Sequence, residues 1–370
     1  MISYIIWNGS PEIFSIGFFS LRYYGLLFAL GFLISQQILY YIYKKEGKPE
    51  KDVDTLTVYM IIATIIGARL GHILFYEPSM LWTNPLGVFL PFELSPFRFT
   101  GLQGLASHGG AIGILFALWL YSRKRKPGQN YLQILDRIVI LVCLTAGLIR
   151  LGNYFNSEII GKPANHPFSV VFINPITERI MRNDDGSNPV ASLEIEKDAN
   201  RQAGVNGRVP INMYLFFKPG TNELQAKQFV DWQVKDLLSS QREFLDEPGA
   251  PLQYKVTLES SGTYAAKIQT IGIARHPAQL YESISSFILF GLLLWYWIRH
   301  KSDLPEGRIF GIFLITLWGL RFAYEFLKEN QESFEDSLTL NMGQILSIPL
   351  ILVGVFVLVR SFRTKSKVKE

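Results

Sequence analysis

The residues of this chain best equipped for chemistry lie in Arg150-Leu-Gly-Asn-Tyr-Phe-Asn-Ser-Glu158-Ile-Ile-Gly161, directly after an apolar run from Ile134 to Ile149. An arginine in a membrane span costs roughly 2.5 to 3.5 kcal/mol at mid-bilayer, so its presence there calls for a reason. Arg150, Asn153, Asn156, Ser157 and Glu158 recur on nearly one helical face if the helix continues. The plain alternative is a helix end reaching the headgroups, where Arg and Asn are ordinary. Other apolar runs are interrupted in the same way: by Arg69 in Ile66-Gly-Ala-Arg-Leu-Gly-His72, by His108 in Ala106-Ser-His-Gly-Gly-Ala-Ile-Gly113, and by Arg321 with Glu325. A further run is preceded by Arg275-His-Pro-Ala-Gln-Leu-Tyr-Glu282.

Each of these has a duller reading. Arg321 and Glu325, at i and i+4, can neutralise each other. Glu282 can pair with Arg275 or with Arg150. The glycines after His108 permit close helix packing, and His108 itself can be an interfacial histidine rather than a base. The balance of charge is more telling: three or four arginines, always charged, stand against three glutamates. That excess of guanidinium suits a phosphate, which arginine grips bidentately, whereas a proton relay would be rich in carboxylates. The five histidines (72, 108, 166, 276 and 300) form no HxxxH or HExxH pattern, and no G-x-S-x-G elbow occurs. Neither metal catalysis nor Ser-His-Asp hydrolysis is expected, and no cofactor is implied.

The elements that must hold these residues are membrane helices. Of 370 residues 49% are hydrophobic and only 18% charged, which points to a polytopic membrane protein rather than a soluble domain. The one cysteine, Cys143, rules out an internal disulfide. Met1 to Glu12 has no basic n-region, so the first apolar run is expected to stay in the membrane. Seven segments approach the roughly 20 residues a span needs: Phe18–Tyr43, Leu56–Phe75, Leu105–Tyr121, Leu132–Leu151, Gln279–Ile298, Ile309–Leu327 and Ile345–Leu358. Basic clusters follow the first, third, fifth and seventh: Lys44, Lys45, Lys48 and Lys51; Arg123 to Lys126; Arg299, Lys301 and Arg308; and Arg360, Arg363, Lys365, Lys367 and Lys369. By the positive-inside rule the amino terminus lies outside and the carboxyl tail in the cytoplasm.

The expected fold is therefore an all-α polytopic membrane protein of seven transmembrane helices, N-out and C-in, with a small α+β periplasmic insert. Helices 1–4 fill residues 1–161, the insert 162–275, and helices 5–7 residues 276–370. Within the insert, Ser169–Ile173, Met213–Phe217 and Gln253–Leu258 read as strands, and Gln225–Leu238 as an amphipathic helix with Phe229, Trp232 and Leu237 on one face. This topology places Arg69, His108, Arg150, Glu158, His276, Glu282, Arg321 and Glu325 in the outer halves of their helices. Polar groups at one depth on five helices imply a shared polar cavity, because none can be left facing hydrocarbon.

The stretch from Arg150 to Glu158 resembles the signature of the bacterial prolipoprotein diacylglyceryl transferase family. So do His108-Gly-Gly, Arg275-His-Pro-x-Gln-Leu-Tyr-Glu282, Tyr24-Gly25, G-x-R-x-G around Arg69, and Asn341-Met-Gly-Gln-Ile-Leu-Ser-Ile-Pro349. The resemblance implies transfer of the diacylglyceryl group of phosphatidylglycerol to the lipobox cysteine of a preprolipoprotein signal peptide, with release of glycerol phosphate. It implies a bacterial inner-membrane location among membrane lipids, with no nucleic-acid partner. It assigns catalysis to His108, Arg150 and Arg321, and lipid binding or site shape to Tyr24, Arg69, Asn153, Asn156, Glu158, Gly161, Glu282 and Glu325. Ser157 and Lys162 stand where the family commonly has glycine and arginine, and the insert is longer than usual. The competing readings are a lipid or anion transporter and a catalytically silent relative; seven spans do not halve into the inverted repeats many transporters show.

Overall fold

The computed structural model describes residues 4–16, 19–85, 87, 92–94, 97–99, 104, 106–182, 188–246, 252–329, 335 and 338–363. Leu105, Phe18 and the tail lysines 365, 367 and 369 lie outside the described residues. The elements in order are β1 Ile5–Trp7, β2 Glu12–Ile16, β3 Phe19–Arg22, α1 Tyr23–Lys45, α2 Lys51–Tyr76, α3 Met80–Thr83, β4 Phe92–Leu94, β5 Phe97–Phe99, α4 Ser107–Ser122, α5 Tyr131–Asn156, β6 Val170–Phe172 and α6 Asn174–Met181. There follow β7 Val190–Lys197, β8 Arg208–Phe217, α7 Glu223–Gln228, α8 Lys235–Ser240, β9 Tyr254–Leu258, β10 Tyr264–Arg275, α9 Ala278–His300, α10 Arg308–Tyr324 and α11 Met342–Arg363.

Among the described residues six helices are long and apolar enough to cross a membrane: Tyr23–Lys45, Lys51–Tyr76, Tyr131–Asn156, Ala278–Asp303, Arg308–Leu327 and Met342–Arg363. The chain is a polytopic membrane protein by that measure. The expected third span is α4, of 16 residues. At 1.5 Å per residue it reaches about 24 Å, less than the roughly 30 Å of a hydrocarbon core. Outside the expected α+β insert the helical expectation also needs correction, since β1 to β5 lie before residue 162. The expected first span starts late, because Glu12–Ile16 and Phe19–Arg22 alternate polar with apolar residues and pair as an antiparallel hairpin.

The chain falls into two compact units. The first comprises residues 1–30, 146–285 and 320–347. Its centre is a sheet in the order β1-β6-β10-β8-β7, with β9 also on β10. β1 pairs parallel to β6, and the other pairings are antiparallel. The three runs read as strands from sequence supply β6, part of β8 and β9, and the sheet also recruits Ile5–Trp7. Its buried face carries Val171, Ile211, Met213, Leu215, Ala266 and Ile268, against Ile176, Val230, Val234 and Leu238 of the helices. Removing each of the larger side chains from water contributes about 1.5 to 3 kcal/mol.

The amphipathic run within 223–240 is helical throughout, and Phe229 and Leu237 face the core as expected, but Trp232 does not. A π-helical turn over Phe229–Val234 joins α7 to α8. The widened turn buries Val230, Val234 and Leu238 at intervals of four and leaves Trp232 78% exposed.

The second unit comprises residues 31–145, 286–319 and 348–370, and its described elements are helical apart from β4 and β5. Between helices in lipid no hydrophobic force acts, so close packing and polar ties hold the bundle. α2 and α4 meet backbone to backbone: a Cβ on Gly67 would lie 2.5 Å from the Gly109 carbonyl oxygen, and one on Gly71 2.6 Å from Gly109 Cα. Ser35 and Thr145 hydroxyls hydrogen-bond at 3.2 Å between α1 and α5. Asp136, fully buried, accepts from the backbone N–H groups of Gly307 (2.7 Å) and Phe310 (2.8 Å), capping the start of α10. Glu46 accepts from Arg137 Nη2 at 2.8 Å and from the Trp297 indole at 2.7 Å, and pairs with Lys48 at 2.6 Å. Burial opposes ionisation of Glu46, but Arg137 and Lys48 outweigh it and hold the carboxyl below its ordinary value.

Candidate active site

The polar residues of the first unit gather where three pieces of chain meet: the end of α5, the passage from β10 into α9, and the end of α10. α5 continues through Asn156, so Arg150 and Asn153 do share a face, one turn apart. Beyond it Ser157 (φ 54°) and Ile159 (φ 55°) take left-handed conformations and turn the chain back. A left-handed residue at 157 explains why glycine suits that position. The reversal returns Glu158 to its own helix, where its carboxylate accepts from Asn153 Nδ2 at 3.3 Å and from Asn156 Nδ2. Asn153 Oδ1 in turn accepts from Arg150 Nη1 at 3.3 Å.

Gly161 lies at the junction of the three pieces. Its N–H donates to the His276 carbonyl (3.0 Å), the Lys162 N–H donates to that of Leu327 (2.7 Å), and Gly161 bridges to Lys328. Arg275, 5% exposed, ties the same junction through the Gly161 carbonyl (3.1 Å), the Glu243 carbonyl (2.8 Å) and Glu329 (2.7 Å). In the first turn of α9, Gln279 Nε2 donates to the Glu158 carbonyl. His276 Nδ1 lies 2.9 Å from His166 Nε2, with the Tyr281 hydroxyl 3.4 Å from His276 and 3.5 Å from His166. Burial first, and then the His166 ring, push the His276 imidazole below its ordinary value.

At the centre, five charged side chains alternate in sign. Arg150 Nε pairs with Glu282 Oε2, and the other oxygen of Glu282 pairs with Lys328 Nζ. Lys328 also meets Glu325 Oε1 at 3.3 Å, and Arg321 Nε reaches that oxygen at 3.6 Å. Glu325 Oε2 accepts from Asn341 Nδ2 at 3.1 Å. The lysine is the most sequestered, 4% exposed, while Arg150 and Arg321 are 22% and 40% exposed. Two carboxylates with little exposure thus meet two guanidinium groups that are themselves partly exposed, an arrangement rich in the donors an anion requires.

The two alternatives left open for Glu282 resolve towards Arg150, since Arg275 pairs with Glu329 instead. Tyr24 packs on α5, where a Cβ on Gly152 would lie 2.9 Å from its ring, and its hydroxyl is within electrostatic reach of Glu158 and Arg150. Lys328 and Gln279 were missed as site residues. Lys328 sits in a mixed-charge connection that reads as a solvated loop, and its only signal is its place three residues after Glu325.

Arg69 and His108 belong to the second unit. Arg69, 7% exposed, donates to the Gly87 carbonyl at 2.7 Å and the Gly104 carbonyl at 3.5 Å, tying both glycines to α2. His108, in the first turn of α4, packs edge-on against Phe75 (ring centroids 5.0 Å apart) and beside Tyr76 (6.1 Å). The glycines that follow it make the close helix contact described above. Among the described residues no group of three His, Cys, Asp or Glu side chains is placed to hold a metal.

Together these features define a multi-span membrane protein with buried ion pairs at its helix ends. The model of the family described as prolipoprotein diacylglyceryl transferase matches residues 11–360, and the chain belongs to that family. It is similar to the phosphatidylglycerol–prolipoprotein diacylglyceryl transferases of Bacteroides fragilis (33% identity, covering 95% of this chain and 93% of the relative) and Chloroherpeton thalassium (33%, 98% and 96%). The transferase of that name from Tolumonas auensis is 30% identical over 98% of this chain and all of the relative.

Proposed function

We propose that this protein transfers the diacylglyceryl group of phosphatidylglycerol to the lipobox cysteine thiol of preprolipoproteins, the first step of lipoprotein maturation. The observation that carries the reading is the pair of partly exposed guanidiniums on Arg150 and Arg321, each ion-paired with a glutamate of low exposure. In the reaction the cysteine sulfur attacks the glycerol carbon that bears the phosphate. A carbon–sulfur bond forms, the carbon–oxygen bond breaks, and glycerol phosphate leaves with the electron pair. A free thiol with pKa near 8.5 is only a few per cent thiolate at neutral pH, and His108 is the candidate base that would take its proton. Charge developing on the leaving phosphate is met by Arg150 and Arg321, cations already oriented before the reaction.

Asn153, Asn156, Glu158, Gly161, Glu282 and Glu325 fix that geometry, and Tyr24 and Arg69 shape the lipid site. In this reading α4 acts as a seventh span, the amino terminus faces outward and the tail is cytoplasmic. Residues 1–161 and 276–370 form the part within the bacterial inner membrane, and 162–275 the periplasmic insert. The basic clusters after alternate spans support that orientation. The test combines purified protein, phosphatidylglycerol and a lipobox peptide, with mass spectrometry as the readout. Gain of a diacylglyceryl mass on the cysteine supports the proposal. An unmodified peptide, from protein that binds the lipid, overturns it.

A further inference from the structure

Four basic side chains that the mechanism does not use lie at one end of the second unit, on the turns after α4 and after α9. Arg123, Lys124, Arg125 and Lys301 are all exposed, and among the described residues none of them ion-pairs with a carboxylate. The next residue, Lys126, does pair, with Asp52. Glu46 ties the two turns together. Its partner Lys48 has Cε 3.2 Å from where a Cβ on Gly128 would lie, and its partner Arg137 donates to the Lys301 carbonyl at 3.5 Å. Aromatic rings seat the cations beside them. Arg123 lies 5.3 Å from the ring centre of Trp119, Lys124 4.9 Å from that of Tyr59 and 5.4 Å from that of Tyr121, and Arg299 5.6 Å from that of Trp295. Exposed tryptophans beside basic groups at the ends of apolar helices belong at the level of membrane headgroups.

Arg125 and Lys301 carry a second, independent sign. Their φ angles, 51° and 47°, are left-handed. Gly47 and Gly128 hold that conformation in turns at the same end without strain, whereas a long side chain holds it only at a cost. Two turns thus keep a basic side chain where glycine would fold more easily, so the charge must offset the strain by some other interaction.

We propose that this end of the helical unit is a binding surface for the headgroups of anionic phospholipids, with Arg125 and Lys301 as its principal cations. That the leaflet is the cytoplasmic one rests on the orientation proposed above. The headgroup phosphates supply the counter-charge that the protein's own carboxylates do not. Each Lys or Arg at a membrane surface strengthens the attraction to anionic lipid about fivefold, so Arg125 and Lys301 together contribute about thirtyfold. The bland use of such cations, attraction to the carbonyls at a helix C-terminus, acts equally with and without lipid, which separates the two roles.

The experiment uses the full chain in neutral-detergent micelles at constant ionic strength, titrated with phosphatidylserine or phosphatidylcholine and read by native mass spectrometry and thermal unfolding. Wild type should bind phosphatidylserine in preference to phosphatidylcholine. Arg125→Gly with Lys301→Gly removes both charges and relaxes both turns. That pair should unfold no earlier than wild type without lipid, yet bind phosphatidylserine about thirtyfold more weakly. Lys235→Gln with Lys255→Gln, an equal loss of charge on exposed residues of the insert, should leave binding within about twofold of wild type. Undiminished binding by the glycine pair overturns the proposal and returns the cations to their helix ends. An equal loss in the control pair overturns it in favour of net charge alone, and displacement of the lipid by inorganic phosphate overturns it in favour of a soluble anion. The orientation is tested apart. Cys143 is buried, so Arg125→Cys offers an impermeant maleimide the one exposed thiol. Labelling in intact cells would refute the proposed orientation and leave the micelle result standing.

Discussion

Replacing Gly161 by alanine tests the three-way junction directly. A Cβ there would lie 2.6 Å from His276 Cβ, 2.7 Å from the His276 carbonyl oxygen and 2.8 Å from that of Leu327. Ordinary contact begins near 3.4 Å, so the neighbours must retreat by about 0.6 to 0.8 Å. Two of the three obstacles are main-chain carbonyls, which cannot rotate away as a side chain would. Overpacking of this kind costs about 1 to 3 kcal/mol. The retreat also strains the hydrogen bonds Gly161 to His276, Lys162 to Leu327 and His276 to Lys162, each worth about 0.5 to 1.5 kcal/mol when intact. A loss of about 2 to 4 kcal/mol is expected. Because the junction carries Lys328, Glu158 and Glu282, a shift approaching 1 Å should slow transfer about a hundredfold in the folded fraction. Thermal unfolding and the peptide mass assay measure the two effects. Gly25→Ala is the control, since nothing lies within 4 Å of the added carbon. A Gly161→Ala protein with native unfolding temperature and a rate within twofold of wild type would refute the reasoning.

Asp136→Ala removes the acceptor for two buried N–H groups at the start of α10 and should destabilise the protein by about 2 to 4 kcal/mol. The folded fraction should retain its KM for phosphatidylglycerol, and a change there would contradict a purely structural role. His276 is held below its ordinary value of 6.5, so the unfolded chain binds that proton more readily than the folded one. Its contribution to stability is whole above about pH 6.5 and is lost as pH falls through the depressed folded value. The unfolding temperature should therefore drop between pH 7 and 5, and less steeply in His276→Gln; equal slopes would discount the histidine. His108→Asn should lose most activity together with the acidic limb of the pH–rate profile. A retained limb with modest loss would point instead to a thiolate activated by arginine alone.

The membrane helices were legible because apolar runs of that length have few other uses, and the spacing of Arg150 and Asn153 placed them together once α5 proved unbroken. The strand runs in 162–275 were also readable from their period of two. Three features were hidden for physical reasons. The π-helical turn at Phe229–Val234 breaks the 3.6-residue period on which a face is counted, so Trp232 was assigned to the wrong side. The β2–β3 hairpin alternates polar with apolar residues over too short a stretch to stand apart, and it runs straight into the apolar helix α1. Lys328 owes its importance to Glu282 on another helix and to Gly161 on another loop, and a one-dimensional reading has no access to partners 46 and 167 residues away, as the numbering gives them.

Ile159 adopts φ 55°, a conformation that a β-branched side chain occupies only under compulsion. Such a residue stores about 1 to 3 kcal/mol, released if the surrounding contacts let go. The loop behind α5 therefore behaves like a sprung latch: Ile159→Gly should yield a sturdier protein, and one whose carboxylate at position 158 is less firmly aimed.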